Sequence, residues 1–97
     1  MKLEFEWDEK KNAINIRKHN ISFEEAATVF SDPNRYEIYD GIHSLAEKRW
    51  IVIGLAGFNM LKVSFTERKS RIRVISARKA DKDDIKEYLN GNSTKGN

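Results

Sequence analysis

The stretch Glu67-Arg68-Lys69-Ser70-Arg71-Ile72-Arg73-Val74-Ile75-Ser76-Ala77-Arg78-Lys79 decides how this chain folds. Residues 71–77 alternate, with Ile72 and Val74 on one side and Arg71 and Arg73 on the other. Simple alternation also puts Ile75 and Ala77 on the charged side. β-Branched residues at period two predict a half-buried strand. Upstream, residues 60–67 repeat the pattern, with Val63 and Phe65 opposite Lys62, Ser64 and Thr66, and Arg68 extends the polar row. The link Arg68-Lys69-Ser70 is short enough for a hairpin, so the two strands run antiparallel. A third strand, Trp50–Ala56, joins through Gly57-Phe58-Asn59 in the same way.

Working outward, Leu3, Phe5 and Trp7 alternate with Glu4 and Glu6 as a short strand over residues 3–7. Asp8 is placed to cap a helix running to about His19, with Glu9 in its first turn and Arg17, Lys18 and His19 in its last. Asn20 stops it. Ser22-Phe23-Glu24-Glu25 is a capping box that opens a second helix reaching Phe30. Ser31-Asp32-Pro33-Asn34 ends that helix in a turn. Tyr36–Tyr39 reads as a short strand and residues 40–44 as a loop. Asp81 caps a last helix whose apolar side is Ile85, Tyr88 and Leu89. The expected fold is α+β, in the order β-α-α-β-β-β-β-α: a small antiparallel sheet with helices packed on one face.

Residues 48–79 hold nine basic residues against one acidic residue, Glu67, a net of +8. The rest of the chain holds nine basic and fourteen acidic residues, a net of −5, so the total of +3 conceals a strong asymmetry. If the apolar set meets the helices, Lys62, Arg68, Arg71 and Arg73 share the other face. Such a face suits a polyanion, and nucleic acid is the usual one, bound through its phosphates with counterion release.

Ninety-seven residues make one small domain, placed at residues 1–90. The polar, glycine-containing residues 91–97 are expected to be a disordered tail. With no cysteine, disulfides and cysteine-based zinc sites are excluded. The pair of histidines, His19 and His43, is too small a set for a metal cluster, so neither metal nor cofactor is expected. No apolar run approaches the roughly 20 residues that span a bilayer. The charged N-terminus lacks a signal-peptide core. A cytoplasmic chain without membrane attachment follows as the expectation.

Several motifs then fall into a recognisable order. Phe5-Glu6-Trp7-Asp8-Glu9-Lys10-Lys11-Asn12-Ala13-Ile14-Asn15 leads into Lys18-His19-Asn20-Ile21-Ser22-Phe23-Glu24-Glu25-Ala26. Glu47-Lys48-Arg49-Trp50, Ile53-Gly54, Phe65-Thr66-Glu67-Arg68 and residues 72–80 follow. Together, over residues 3–88, they resemble the BrnT-type toxins. Asn20 stands where that family usually has Gly, and Ile85 where its last helix carries Arg, which leaves that helix less basic.

The resemblance implies a compact relative of the RelE-like ribonuclease fold and a toxin of a bacterial type II toxin–antitoxin module. It implies a metal-independent endoribonuclease that cleaves RNA and arrests growth. It also implies neutralisation by a BrnA-type antitoxin, with operator DNA bound only through the toxin–antitoxin complex. A dimer or a toxin–antitoxin heterotetramer fits that pattern.

Metal-free RNA cleavage needs help deprotonating the 2′-hydroxyl, charge stabilisation at phosphorus, and a proton for the leaving 5′-oxygen. Arginine suits the second task, since its fork matches phosphate and stays charged. Arg68, Arg73 and Arg78 are the candidates, with Lys79 beside them at the strand end and His19 as acid or base. Lys18, Lys62 and Arg71 are candidates for holding RNA. The plainer reading of each cation is a solvated charge or an ion pair with Glu67 or a helix acid, and of His19 a helix-end residue near the last carbonyls. His43 reads as an incidental loop residue, Glu67 as an orienting group, Tyr88 as a core-edge residue, Trp7 as packing and Asp8 as a cap. The alternative to an enzyme is a non-catalytic nucleic-acid-binding module with a basic sheet face. A third reading, compatible with the first, makes that face the docking site of an acidic partner segment.

Overall fold

The structure is a computed structural model and describes residues 2–95. Its elements are β1 (Glu4–Glu6), α1 (Glu9–His19), α2 (Phe23–Ala27) running into a 3-10 turn (Thr28–Ser31), β2 (Tyr36–Tyr39), β3 (Trp50–Ala56), β4 (Asn59–Arg68), β5 (Arg71–Lys79) and α3 (Lys82–Lys95). This is the expected α+β order. The five strands lie in the order β1-β5-β4-β3-β2. β1 runs parallel to β5, and the other neighbours are antiparallel.

Local chemistry sets the helix ends. The Asp8 carboxylate accepts the N–H groups of Lys10 and Lys11, and Asn20 closes α1 in the left-handed region at φ 57°. Ser22 Oγ accepts the Glu25 N–H. Where the second helix was expected to run straight to Phe30, it tightens at Thr28, whose hydroxyl donates to the Glu25 carbonyl at 2.6 Å. Both hairpin turns are two residues long, Gly57-Phe58 and Lys69-Ser70. Lys69 and Ser70 adopt φ 48° and 71°, the paired positive angles that match the strand twist.

The core lies between the α1–α2 layer and one sheet face. Phe23, Ala26, Val29 and Phe30 pack on Val52, Leu61, Val63 and Phe65. The Phe30 ring meets Phe65 edge-on at 5.0 Å between centroids. Two buried asparagines tie α1 in. Asn12 Oδ1 accepts the Phe23 N–H, and Asn15 accepts the Ala77 N–H while donating to the Ile21 carbonyl. β1 pairs only with Arg71 to Arg73, so Asn15 takes over the free edge of β5 beyond it.

Besides the parallel β1–β5 pair in a sheet expected to be antiparallel, the structure departs from the expected architecture in two places. The β4–β5 ladder jumps from Phe65 opposite Val74 to Ser64 opposite Ser76, leaving Ile75 as a bulge. Alternation restarts there. Ala77 turns into the core at 2% exposure, instead of joining the charged side. Arg78 becomes the partner of Lys62 on the opposite face, while Lys79 pairs with core-facing Leu61.

The second departure is α3, which lies across the sheet from α1 and α2 rather than beside them. Ile53 is 1% exposed yet belongs to the face away from the core, since its neighbours Val52 and Gly54 face Val63 and Leu61. α3 packs on β2 and β3 there. A Cβ on Gly91 would sit 2.6 Å from the Tyr36 ring, and an added Cβ on Gly54 would meet the Val29 carbonyl oxygen on the core side. Residues 91–95 of the expected tail are helical, with Asn92 Nδ2 donating to the Asn34 and Tyr88 carbonyls. The last two residues of that tail lie outside the described residues.

Candidate active site

The face away from the core carries a ladder of cross-strand pairs: Arg68 with Arg71, Thr66 with Arg73, Ser64 with Ser76 and Lys62 with Arg78. Its two ends differ. At the hairpin end, the Arg68 guanidinium makes two bonds of 3.1 Å to Glu47. Arg73 holds Glu6 at 3.0 Å, and Arg71 lies 3.3 Å from Glu4 and 3.8 Å from Glu6. The hydrogen bond from Arg68 keeps the Glu47 carboxyl below its usual range and raises the Arg68 guanidinium in turn. Three of the expected arginines are thus balanced by acids from β1 and from the loop before β3.

A hollow of about 740 Å³ lined by Glu6, Arg68, Lys69 and Arg71 lies at the hairpin end, and the other end opens into a cleft of about 330 Å³. Its floor is Ile51, Ser64, Ile75 and Ser76, and around it stand His19, Asp40, His43, Arg49, Lys62 and Arg78. An adjoining hollow lined by Lys11, Lys18, His19, Ile75 and Ser76 continues it along α1. Of the residues singled out in the sequence, Arg78, His19 and Lys62 line the cleft and Lys18 its extension. Arg68 and Arg71 stand about 20 Å away along the ladder, at roughly 3.4 Å per residue. Arg73 lies between, against Glu6, and Lys79 faces the other side of the sheet.

α3 fixes the cations from above. Asp84, 4% exposed, accepts Arg78 Nη1 at 2.9 Å and lies 3.5 Å from Lys62 Nζ. Asp84 and Asp81 also form a reciprocal cap, each carboxylate accepting the other's backbone N–H at 2.9 Å. Burial works to raise the Asp84 pKa, but the Asp81 N–H, Arg78 and Lys62 outweigh it and hold it below the usual value. Asp32 anchors the same helix by accepting Tyr88 Oη at 2.8 Å and the Leu55 N–H at 2.9 Å. Burial opposes ionisation of Asp32, and these donors with the Asn34 N–H win, lowering its pKa. Burial and Asp32 push Tyr88 up to about 12. Tyr88 is 6% exposed, so it serves packing.

Four polar cleft residues were not singled out as site candidates: Asp40, Arg49, Ser64 and Ser76. His43, read as incidental, lies 2.8 Å through Nδ1 from Asp40 Oδ2. The local signal for it was Asp-Gly-x-His, an aspartate three residues before a histidine across a turn. Among the described residues, no three His, Cys, Asp or Glu side chains are grouped to hold a metal ion. Nor is any helix there long and apolar enough to cross a membrane.

Chemically, the cleft places two imidazoles, two hydroxyls and three basic side chains around one space open to solvent. The family model for the ribonuclease toxin BrnT of type II toxin–antitoxin systems matches residues 7–84. That span is well over half of the chain and sets its class, a ribonuclease toxin. Within that class the chain belongs to the BrnT family, whose members act with an antitoxin protein as partner and RNA as target. No curated protein matches the chain.

Proposed function

We propose that this BrnT-family chain is a metal-independent endoribonuclease acting in the cytoplasm, and that its cleavage takes place in the cleft beside α3. Arg78 and Lys62 hold the scissile phosphate and take up the charge that develops on it. His19 carries a proton at the reacting oxygens. Lys18 holds the neighbouring phosphate of the strand, and Arg49 adds to the field. Arg68, Arg71 and Arg73 act at a distance, their charges being balanced by Glu4, Glu6 and Glu47. RNA cleavage arrests growth, and a BrnA-type antitoxin neutralises the chain by covering this cleft. Operator DNA is bound through the toxin–antitoxin complex.

The observation that carries this reading is the convergence of His19, Lys62 and Arg78, from α1, β4 and β5, on a single cleft. Guanidinium and ammonium groups fixed there can stabilise a phosphorane without a metal ion. The test is a defined RNA incubated with the purified protein in EDTA, beside Arg78→Ala checked for folding. Cleavage by the wild type and a loss of about 100-fold or more in the variant is expected. Intact RNA with salt-sensitive binding, also when ribosomes are added, would instead indicate a binding module.

A further inference from the structure

We infer that His43, oriented by Asp40, is the general base that takes the 2′-hydroxyl proton, with His19 as the general acid across the cleft. This rests on the ribonuclease reading of the cleft and divides its proton transfers between two named groups.

The loop between β2 and β3 is built around Asp40. Its N–H donates to the Arg49 carbonyl at 2.9 Å. Its own carbonyl accepts Ser44 Oγ at 2.6 Å, and that hydroxyl in turn accepts the Arg49 N–H at 2.9 Å. The Asp40 side chain is 12% exposed, whereas that of His43, 2.8 Å away through Nδ1, is 66% exposed. A carboxylate only accepts, so Nδ1 is the protonated nitrogen of the neutral ring, and the lone pair is left on Nε2. Nε2 lies on the opposite side of the ring from Asp40. A shielded carboxylate fixing the tautomer and orientation of an exposed imidazole is the arrangement a general base requires.

His19 occupies a different wall. It ends α1, and among the described residues it makes no hydrogen bond that would fix a neutral tautomer. The charged groups that face His43 are Asp40 and Arg49 of its own loop, Glu47 across the adjoining hollow, and His19, Lys62 and Arg78 across the cleft.

In the step so defined, His43 Nε2 takes the proton of the 2′-hydroxyl and O2′ forms a bond to phosphorus. The P–O5′ bond breaks, its electron pair goes to O5′, and O5′ takes a proton from His19. The products are a 2′,3′-cyclic phosphate and a 5′-hydroxyl, with one proton moved from His19 to His43. Arg78 and Lys62 meet the charge on the phosphorane oxygens. Asp40 is a positioning residue.

Two substrates separate the roles: a defined RNA, and a nucleoside 3′-(4-nitrophenyl phosphate) carrying the base found 5′ of the cut. Nitrophenolate leaves without a proton, so the ester bypasses the acid and still needs the base. In EDTA, His43→Ala is expected to lose about 100-fold or more on both substrates, together with the acid limb of the pH–rate profile. His19→Ala is expected to lose as much on RNA and to recover most of that loss on the ester. Asp40→Asn should lower kcat on both substrates with KM little changed, and Asp40→Glu should restore part of it. The exposed position of His43 makes its variant a mild one for folding, checked by circular dichroism. A His43→Ala variant as fast as wild type on both substrates overturns the inference, as does one slowed on RNA alone, and either leaves the ribonuclease reading standing. Wild-type protein that cleaves neither substrate overturns that reading and the inference with it.

Discussion

Lys62 and Arg78 are cross-strand partners, and both reach one carboxylate, Asp84, at 3.5 Å and 2.9 Å. Two like charges side by side repel, and the buried acid from α3 offsets this. The cleft cations are therefore positioned by the last helix, although the strands carry them.

Arg78 and Lys79 are neighbours in the chain with opposite consequences. The Ile75 bulge sends Arg78 to the cleft face and Lys79 to the other. Arg78→Ala is expected to lower kcat/KM for RNA by about 100-fold or more. Lys79→Ala should stay within about threefold, the scale of a long-range charge. Steady-state kinetics at fixed ionic strength decides.

Asp32 and Asp84 make stability sensitive to acid. Both have folded-state pKa values below the ordinary 3.8. Their contribution is complete above that value and is lost as pH falls through the lower folded values. Urea midpoints measured from pH 6 to pH 2 should drop below about pH 4, and the drop should shrink in Asp84→Asn.

Tyr88 gives the opposite limb. Its folded pKa of about 12 exceeds the ordinary 10.0, so its contribution is complete below pH 10 and is lost as pH rises through 12. Tyr88→Phe leaves Asp32 short of a donor and should cost about 1–3 kcal/mol at neutral pH. Denaturation of both proteins between pH 8 and pH 12 tests this, with the wild-type advantage vanishing at the alkaline end.

Asn15 stands in for a missing strand. Its side chain satisfies the Ala77 N–H and the Ile21 carbonyl. Asn15→Ala should cost about 2–3 kcal/mol, since both backbone groups are left unpaired. Hydrogen exchange at the Ala77 amide should quicken more than at Val63.

The elements set by local chemistry were legible in the sequence. Asp8, Asn20 and Ser22 cap helices through their own neighbours, and alternation over residues 60–67 needs no partner to be read. The bulge was not legible, because it is a relation between Ile75 and a strand ten residues upstream. The side taken by α3 has a trace in the sequence: Ile51-Val52-Ile53 is an unbroken apolar run, the mark of a strand covered on both faces. The basic stretch is legible as charge, but the ion pairs that offset part of it are not. The acids that neutralise its first half, Glu4, Glu6 and Glu47, come from distant segments, and their effect depends on register. His19, Lys62 and Arg78 were found as residue types suited to the chemistry. Asp40 and His43 were missed as a pair because the loop that joins them forms no regular element.

In the proposed function the ladder is divided: chemistry sits at the Lys62–Arg78 end, where Asp84 holds both cations beside the cleft, and the pairs of Arg68, Arg71 and Arg73 with Glu4, Glu6 and Glu47 are structural. The most direct measurement compares kcat/KM on one RNA, in EDTA and at fixed salt, for wild type, Arg78→Ala and the double variant Arg68→Ala/Arg71→Ala. The division predicts a loss of about 100-fold or more for the first variant and a loss within about fivefold for the second, from field alone. A double variant as impaired as Arg78→Ala, with folding intact, would contradict it and move the site to the hairpin end.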